Sequence, residues 1–187
     1  MLRAALTGLA LLLLPACAHA QDEYVPRPDL PIVRATANVI VQALPESRYS
    51  DWGYGWGPVS TRVSRFVHWH IYEPDPRDRP ADAIVRRNGW IDGEGVNVGV
   101  SVFGGDDNVT MLSFEYRTFH TLDLLAALRA AGAEVSFQAD YESYSEHVIT
   151  PPGRAPGLLT TRRVCTPEGS HAARRCHNEA ELTFAFE

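Results

Sequence analysis

The chain has 187 residues, a formal net charge of −6 at pH 7, and 17 basic side chains, every one of them arginine. The acidic balance argues against a nucleic-acid partner and against general adhesion to anionic lipid, since both need a basic face. Without lysine there is no Schiff-base chemistry, lysine nucleophile or Walker P-loop, although genomic base composition is the plain cause of such a bias.

The N-terminus, MLRAALTGLALLLLPACAHAQDE, carries one early positive charge (Arg3), an apolar run from Ala4 to Leu14, and the small-residue ending Ala18-His19-Ala20. This is the layout of a secretory signal, and the run is too short to span a bilayer. Residues 1–20 are read as a signal peptide, leaving a chain from Gln21 whose net charge is −7 once Arg3 is removed (−6 − 1). The competing reading is a lipoprotein signal, Leu14-Pro15-Ala16-Cys17, with Cys17 lipidated; Pro15 fits that motif poorly. The expected location is periplasmic or secreted, with an outer-membrane lipoprotein as the alternative. No transmembrane segment is expected in the mature chain.

Residues 21–31, QDEYVPRPDLP, read as an extended lead-in, and residues 32–187 as one α+β domain. IVRATANVIVQAL alternates, with Val33, Ala35, Ala37, Val39, Val41 and Ala43 on one face and Ile40 the exception. Period two and the β-branched residues predict a strand over a helix. Next comes RYSDWGYGWGPVS, where Tyr49, Trp52, Tyr54 and Trp56 stand among three glycines. Exposed, these aromatics would grip a sugar ring or dock in a protein cleft; buried, they would form a latch over the sheet.

STRVSRFVHWHIYE predicts a second strand, which sets His68 and His70 on one face with Trp69 opposite. Two imidazoles can share one cation, but a catalytic site needs a third ligand. His120 and His147 are candidates that sequence does not place, and Glu73 falls on the opposite strand face unless the chain twists before Pro74. The dull alternative is a polar strand face. Residues 80–87 read as a short helix, with Pro80 in its first turn and Asn88-Gly89 as its stop.

GVNVGVSVF and NVTMLSFEY, joined by Gly104-Gly105-Asp106-Asp107, predict a hairpin with Val96, Val98, Val100 and Val102 on one face. The acidic turns, Asp92/Glu94 and Asp106/Asp107, would lie about 25 Å apart at opposite ends of that strand, so they cannot share a calcium ion. The principal helix is expected at about 121–131, with Thr121 as N-cap, a Leu124–Leu125–Leu128 stripe, and Gly132 past its end. The remaining segments read as strands: EVSFQADYESYSEHVIT, LLTTRRVC and ELTFAFE. Asp140, Glu142 and Glu146 fall on one face there, with Arg162 and Arg163 available to offset them; a glycosidase-like carboxylate pair is the less favoured use. The sequence shows no internal repeat.

Cys165 and Cys176 remain after Cys17 is set aside. In an oxidising compartment they should pair, a closure worth about 3 kcal/mol in the chain-entropy model. The rival is a zinc site with His171 and His177, whose spacing departs from the usual paired motifs. The expected architecture is therefore a largely antiparallel sheet, one principal helix packed on it, and a C-terminal disulfide. No catalytic signature is complete. The functional expectation is a non-catalytic binding protein of the bacterial cell envelope, an inhibitor or immunity-type factor that engages a protein or wall glycan and needs no cofactor. The alternative is a protein or hydrolase using zinc or a similar divalent metal at His68 and His70.

Overall fold

A computed structural model describes residues 24–44, 55–70, 84–106, 108–166 and 175–184. Residues 1–23 with Cys17, the aromatic residues Tyr49, Trp52 and Tyr54, and Glu73, Asp107 and His171 lie outside the described residues.

The first segment is a helix, α1 (Pro31–Ala43), and not the strand that its alternation predicted. Ile32, Val33, Thr36, Ala37, Val39, Ile40 and Ala43 are buried, which is the spacing of one helical face. The same residues carry both periods, and Ile40, the one violation of alternation, belongs to the helical set. Pro31 suits the first turn, and the Thr36 hydroxyl donates to the Ile32 carbonyl at 2.8 Å. Leu44, ahead of Pro45, is extended and ends the helix.

The second predicted strand is also mostly helix. α2 (Trp56–Val63) buries Val59 and Val63, one helical turn apart, and only β1 (His68–His70) of that stretch is strand. The expected helix at 80–87 does not form over its described part: residues 85–87 open β2 (Val85–Gly93), and residues 80–83 lie outside the described residues.

The hairpin holds. β2 turns through Glu94 and Gly95 into β3 (Val96–Gly104), and β3 pairs with β4 (Val109–Tyr116). Gly95 takes φ 76°, open to glycine at no steric cost. Val98, Val100 and Val102 are buried, as the alternation requires. The principal helix, α3 (Thr121–Ala130), holds too, with one correction: its N-cap is His120 and not Thr121. His120 Nδ1 accepts from the Leu122 N–H, and Asp123 accepts from the His120 N–H at 2.9 Å. At the other end Ala133 N–H reaches the Leu128 carbonyl and Gly132 N–H the Arg129 carbonyl, with Gly132 at φ 86°, a Schellman closure.

β5 (Glu134–Asp140), β6 (Tyr144–Thr150), β7 (Gly157–Thr166) and β8 (Arg175–Phe184) complete, among the described residues, one antiparallel sheet of eight strands. Its order is β1-β2-β3-β4-β8-β7-β6-β5. The chain therefore follows one plan twice, helix and then a four-strand meander, with α2 added in the first half, and joins the two meanders through β4 and β8. α1 packs against α3 on one face. Between these helices and the sheet lies the core, including Val33, Ile40, Phe114, Tyr116, Leu124, Leu128, Leu159 and Leu182. Burying so much apolar surface against one sheet face is what holds the layers together.

The lead-in is clasped to α3. Tyr24 Oη donates to both Asp123 carboxylate oxygens at 2.8 Å, and the Arg27 N–H donates to Oδ1 at 2.6 Å. Burial opposes ionisation of Asp123, but these donors and the His120 N–H outweigh it and hold the carboxyl below its usual range. Cys165 and Cys176 face each other in the β7–β8 register and form the expected disulfide. Among the described residues no helix is long and apolar enough to cross a membrane.

Candidate functional site

β1 keeps the alternation expected of FVHWHIYE even though the strand is short. His68 and His70 sit across from Trp90 and Asn88 on the face away from the helices, and Trp69 turns inward across from Gly89. Glycine is required there. A Cβ on Gly89 would lie 2.8 Å from Trp69 Cε3, the His68 carbonyl oxygen and Val67 Cγ1, so the indole rests directly on the partner backbone.

Trp56, the first residue of α2, meets Trp69 edge to face at a centroid distance of 4.8 Å. Arg87 of β2 lies over the Trp56 ring, 4.8 Å from its centroid, and its guanidinium forms an ion pair with Asp106. The Trp56 N–H also donates to the Asp106 carbonyl at 2.9 Å. Thus Asp106, expected only as a turn residue, fastens the start of α2 to the β3–β4 connection. The Arg87 side chain is 3% exposed and Asp106 is 64% exposed, so a buried cation is anchored by a carboxylate at the surface.

Trp56, Trp69 and Arg87 line a cavity of about 430 Å³ with Ser60, Thr61, Ser64 and, from the end of β1, His70. Its wall is largely indole and its rim carries three hydroxyls, the pattern of a small-ligand site. Trp69 Nε1 is buried and has no hydrogen-bond partner among the described residues. Of the four aromatics expected to act in recognition, only Trp56 is described, and it is half-buried against the core. Trp69 enters the site as its neighbour. Arg87 escaped the sequence reading because it was assigned to a helix; the alternation of Arg87, Gly89 and Ile91 was the available signal.

On the opposite face, Trp90 separates the two histidines. Its ring is 5.8 Å from His68 and 5.2 Å from His70, and His68 Nε2 is 3.1 Å from Asp92 Oδ2. Among the described residues no three His, Cys, Asp or Glu side chains are grouped to hold a metal ion. The rival zinc set at the C-terminus is undone, because Cys165 and Cys176 are bonded to each other and His177 Nε2 is 2.9 Å from Glu179.

The acidic face expected in the last third is split by a turn. Asp140 pairs with Ser145 while Glu146 pairs with Ala139 and Thr160, so Asp140 and Glu146 take opposite faces. Arg162 bonds Glu179 and Glu181 of β8 instead of offsetting them. Burial opposes ionisation of Glu179 as well, yet His177 and Arg162 hold its carboxyl below the usual range. Compared with protein-family models, curated proteins and solved structures, the chain finds no match in any of the three.

Proposed function

We propose that this is an exported, non-catalytic binding protein of the bacterial cell envelope, and that its Trp56–Trp69 cleft takes a sugar ring of a wall glycan. The carrying observation is the pair of indoles lining a 430 Å³ cavity rimmed by Ser60, Thr61 and Ser64. Indole surface matches the C–H face of a ring, and the rim hydroxyls match its alcohols. Arg87, held by Trp56 and Asp106, keeps the floor rigid and so lowers the ordering cost of binding. The acidic balance and the leader point to an envelope partner of neutral or basic character.

Titration with solubilised wall-glycan fragments, followed by tryptophan fluorescence and calorimetry, tests this. Saturable binding that weakens about tenfold in Ser60→Leu with Ser64→Leu, at unchanged melting temperature, is the expected result. A folded protein that binds no fragment overturns the reading. The second reading, a divalent-metal protein or hydrolase, rests on the shared face of His68 and His70. Stoichiometric zinc binding that disappears in His68→Ala would put it first.

A further inference from the structure

At the far side of the sheet from β1 runs β5, which ends the strand order and pairs, among the described residues, only with β6. Its other side presents a row of main-chain N–H and C=O groups with no strand partner among the described residues. Natural edges are blunted by shortness, lysine, proline or a bulge. The β1 edge is three residues long. β5 has seven residues and no proline, and its charged side chains, Glu134 and Asp140, stand at its two ends. Its one irregularity, the register shift between Phe137 and Ala139, leaves residues 134–137 in regular pairing.

Two aromatic side chains flank this edge in the open. Phe137 is 63% exposed and Tyr141 48% exposed. With Tyr144, Leu122 and His147 they border a cleft of about 520 Å³. His147 is itself only 7% exposed, and its Nδ1 has no hydrogen-bond partner among the described residues. The cleft therefore offers aromatic walls around a buried imidazole.

Charge selects the occupant. Residues 134–150 carry four carboxylates, Glu134, Asp140, Glu142 and Glu146, and no arginine or lysine; Arg162 and Arg163 of β7 also line the cleft, and Arg162 is bonded to Glu179 and Glu181. A second copy of this strand, docked along the same edge, would bring Glu134, Asp140 and Glu142 up against the same carboxylates, and like charges repel. An extended segment bearing basic side chains meets attraction at the same positions.

We propose that β5 is a docking edge for an extended basic peptide segment. The segment adds a strand alongside residues 134–137, places an apolar side chain in the Phe137–Tyr141 cleft, and sets its arginines or lysines against Glu134, Asp140 and Glu142. This edge lies at the opposite end of the sheet from the Trp56–Trp69 cleft, so the two bindings are separable.

The test is fluorescence anisotropy of the mature chain with a labelled peptide of alternating arginine and valine around a central phenylalanine. Two companions are needed: the same peptide N-methylated along its backbone, which keeps charge and loses every main-chain donor, and one with glutamate in place of arginine. Saturable binding of the first, weakened about tenfold or more by N-methylation, is expected. The Glu134→Arg, Asp140→Arg double variant, altering two exposed side chains, should weaken it similarly with circular dichroism and melting temperature unchanged. Equal binding of the N-methylated or glutamate peptide overturns the proposal, as does the absence of saturable binding. So does a sedimenting dimer that Phe137→Arg dissociates, because a second copy would then own the edge.

Discussion

The two halves of the molecule share a plan and finish it differently. Each sets an aromatic side chain on the inward face of its edge strand: Trp69 on β1 and Phe137 on β5. In the first half α2 follows α1 and brings Trp56 down onto Trp69, with Arg87 and Asp106 locking the contact. In the second half α3 leads straight into β5, and no helix roofs Phe137 among the described residues. One short helix thus separates a cleft walled by two indoles from an open edge. The same sheet geometry offers two modes of recognition, a ring held between indoles and a strand added to a strand.

The comparison can be strained at several points. The second half has a covalent staple in place of a second helix. Replacing Cys165 and Cys176 by serine should cost about 3 kcal/mol, read from denaturant melts of the oxidised parent and the double variant. A loss below about 1 kcal/mol would show that pairing of β7 with β8 already supplies the closure.

A matched pair of truncations tests the roof directly. Trp69→Ala should cost about 2–3 kcal/mol, because it empties the space between Trp56 and Gly89. Phe137→Ala should stay within about 0.5 kcal/mol, because that ring faces solvent. Equal losses in chemical denaturation would erase the distinction between the halves.

Gly89→Ala probes the floor of the first cleft. The added methyl meets a backbone carbonyl as well as the indole, and the carbonyl cannot swing aside. A loss of about 1–3 kcal/mol with altered tryptophan emission is expected. An unchanged spectrum would mean that Trp69 does not rest on Gly89.

The smallest effect concerns pH and belongs to the second half. Burial lowers the His147 pKa below its ordinary value of about 6.5, the Arg129 guanidinium adds to this, and Asp140 opposes it only in part. The folded chain therefore binds fewer protons than the unfolded chain just below that value. The contribution of His147 to stability is complete above about pH 6.5 and is lost as pH falls toward and through the depressed folded value. His147→Gln should flatten that slope in melting temperatures taken between about pH 7 and pH 5. An unaltered slope would assign it to other groups.

Elements with a single period were legible in the sequence. Val96 to Val102 alternate and nothing else about them suggests a helix, so the β3–β4 hairpin followed directly. α3 announced itself through Asp123, its leucine stripe and Gly132, although His120 took the cap because its imidazole reached the Leu122 N–H. α1 was misread because its small and β-branched residues satisfy two periods at once. Packing against α3 and the sheet chose the helix, since that face buries Ile40 and Thr36 together. Helix α2 was missed for a related reason, as Val59 and Val63 make only one turn of pattern.

By itself the sequence determined the α+β class, the pairing of Cys165 with Cys176, and the shared face of His68 and His70. Each of these depends on chain-local facts: residue period, cysteine number and strand alternation. Tertiary structure alone decided that the helix-and-meander plan occurs twice, that Arg87 and Asp106 meet over Trp56, and that Asp140 and Glu146 part to opposite faces. Those outcomes join residues far apart in the chain or turn on a strand break and register shift, and no local period encodes them.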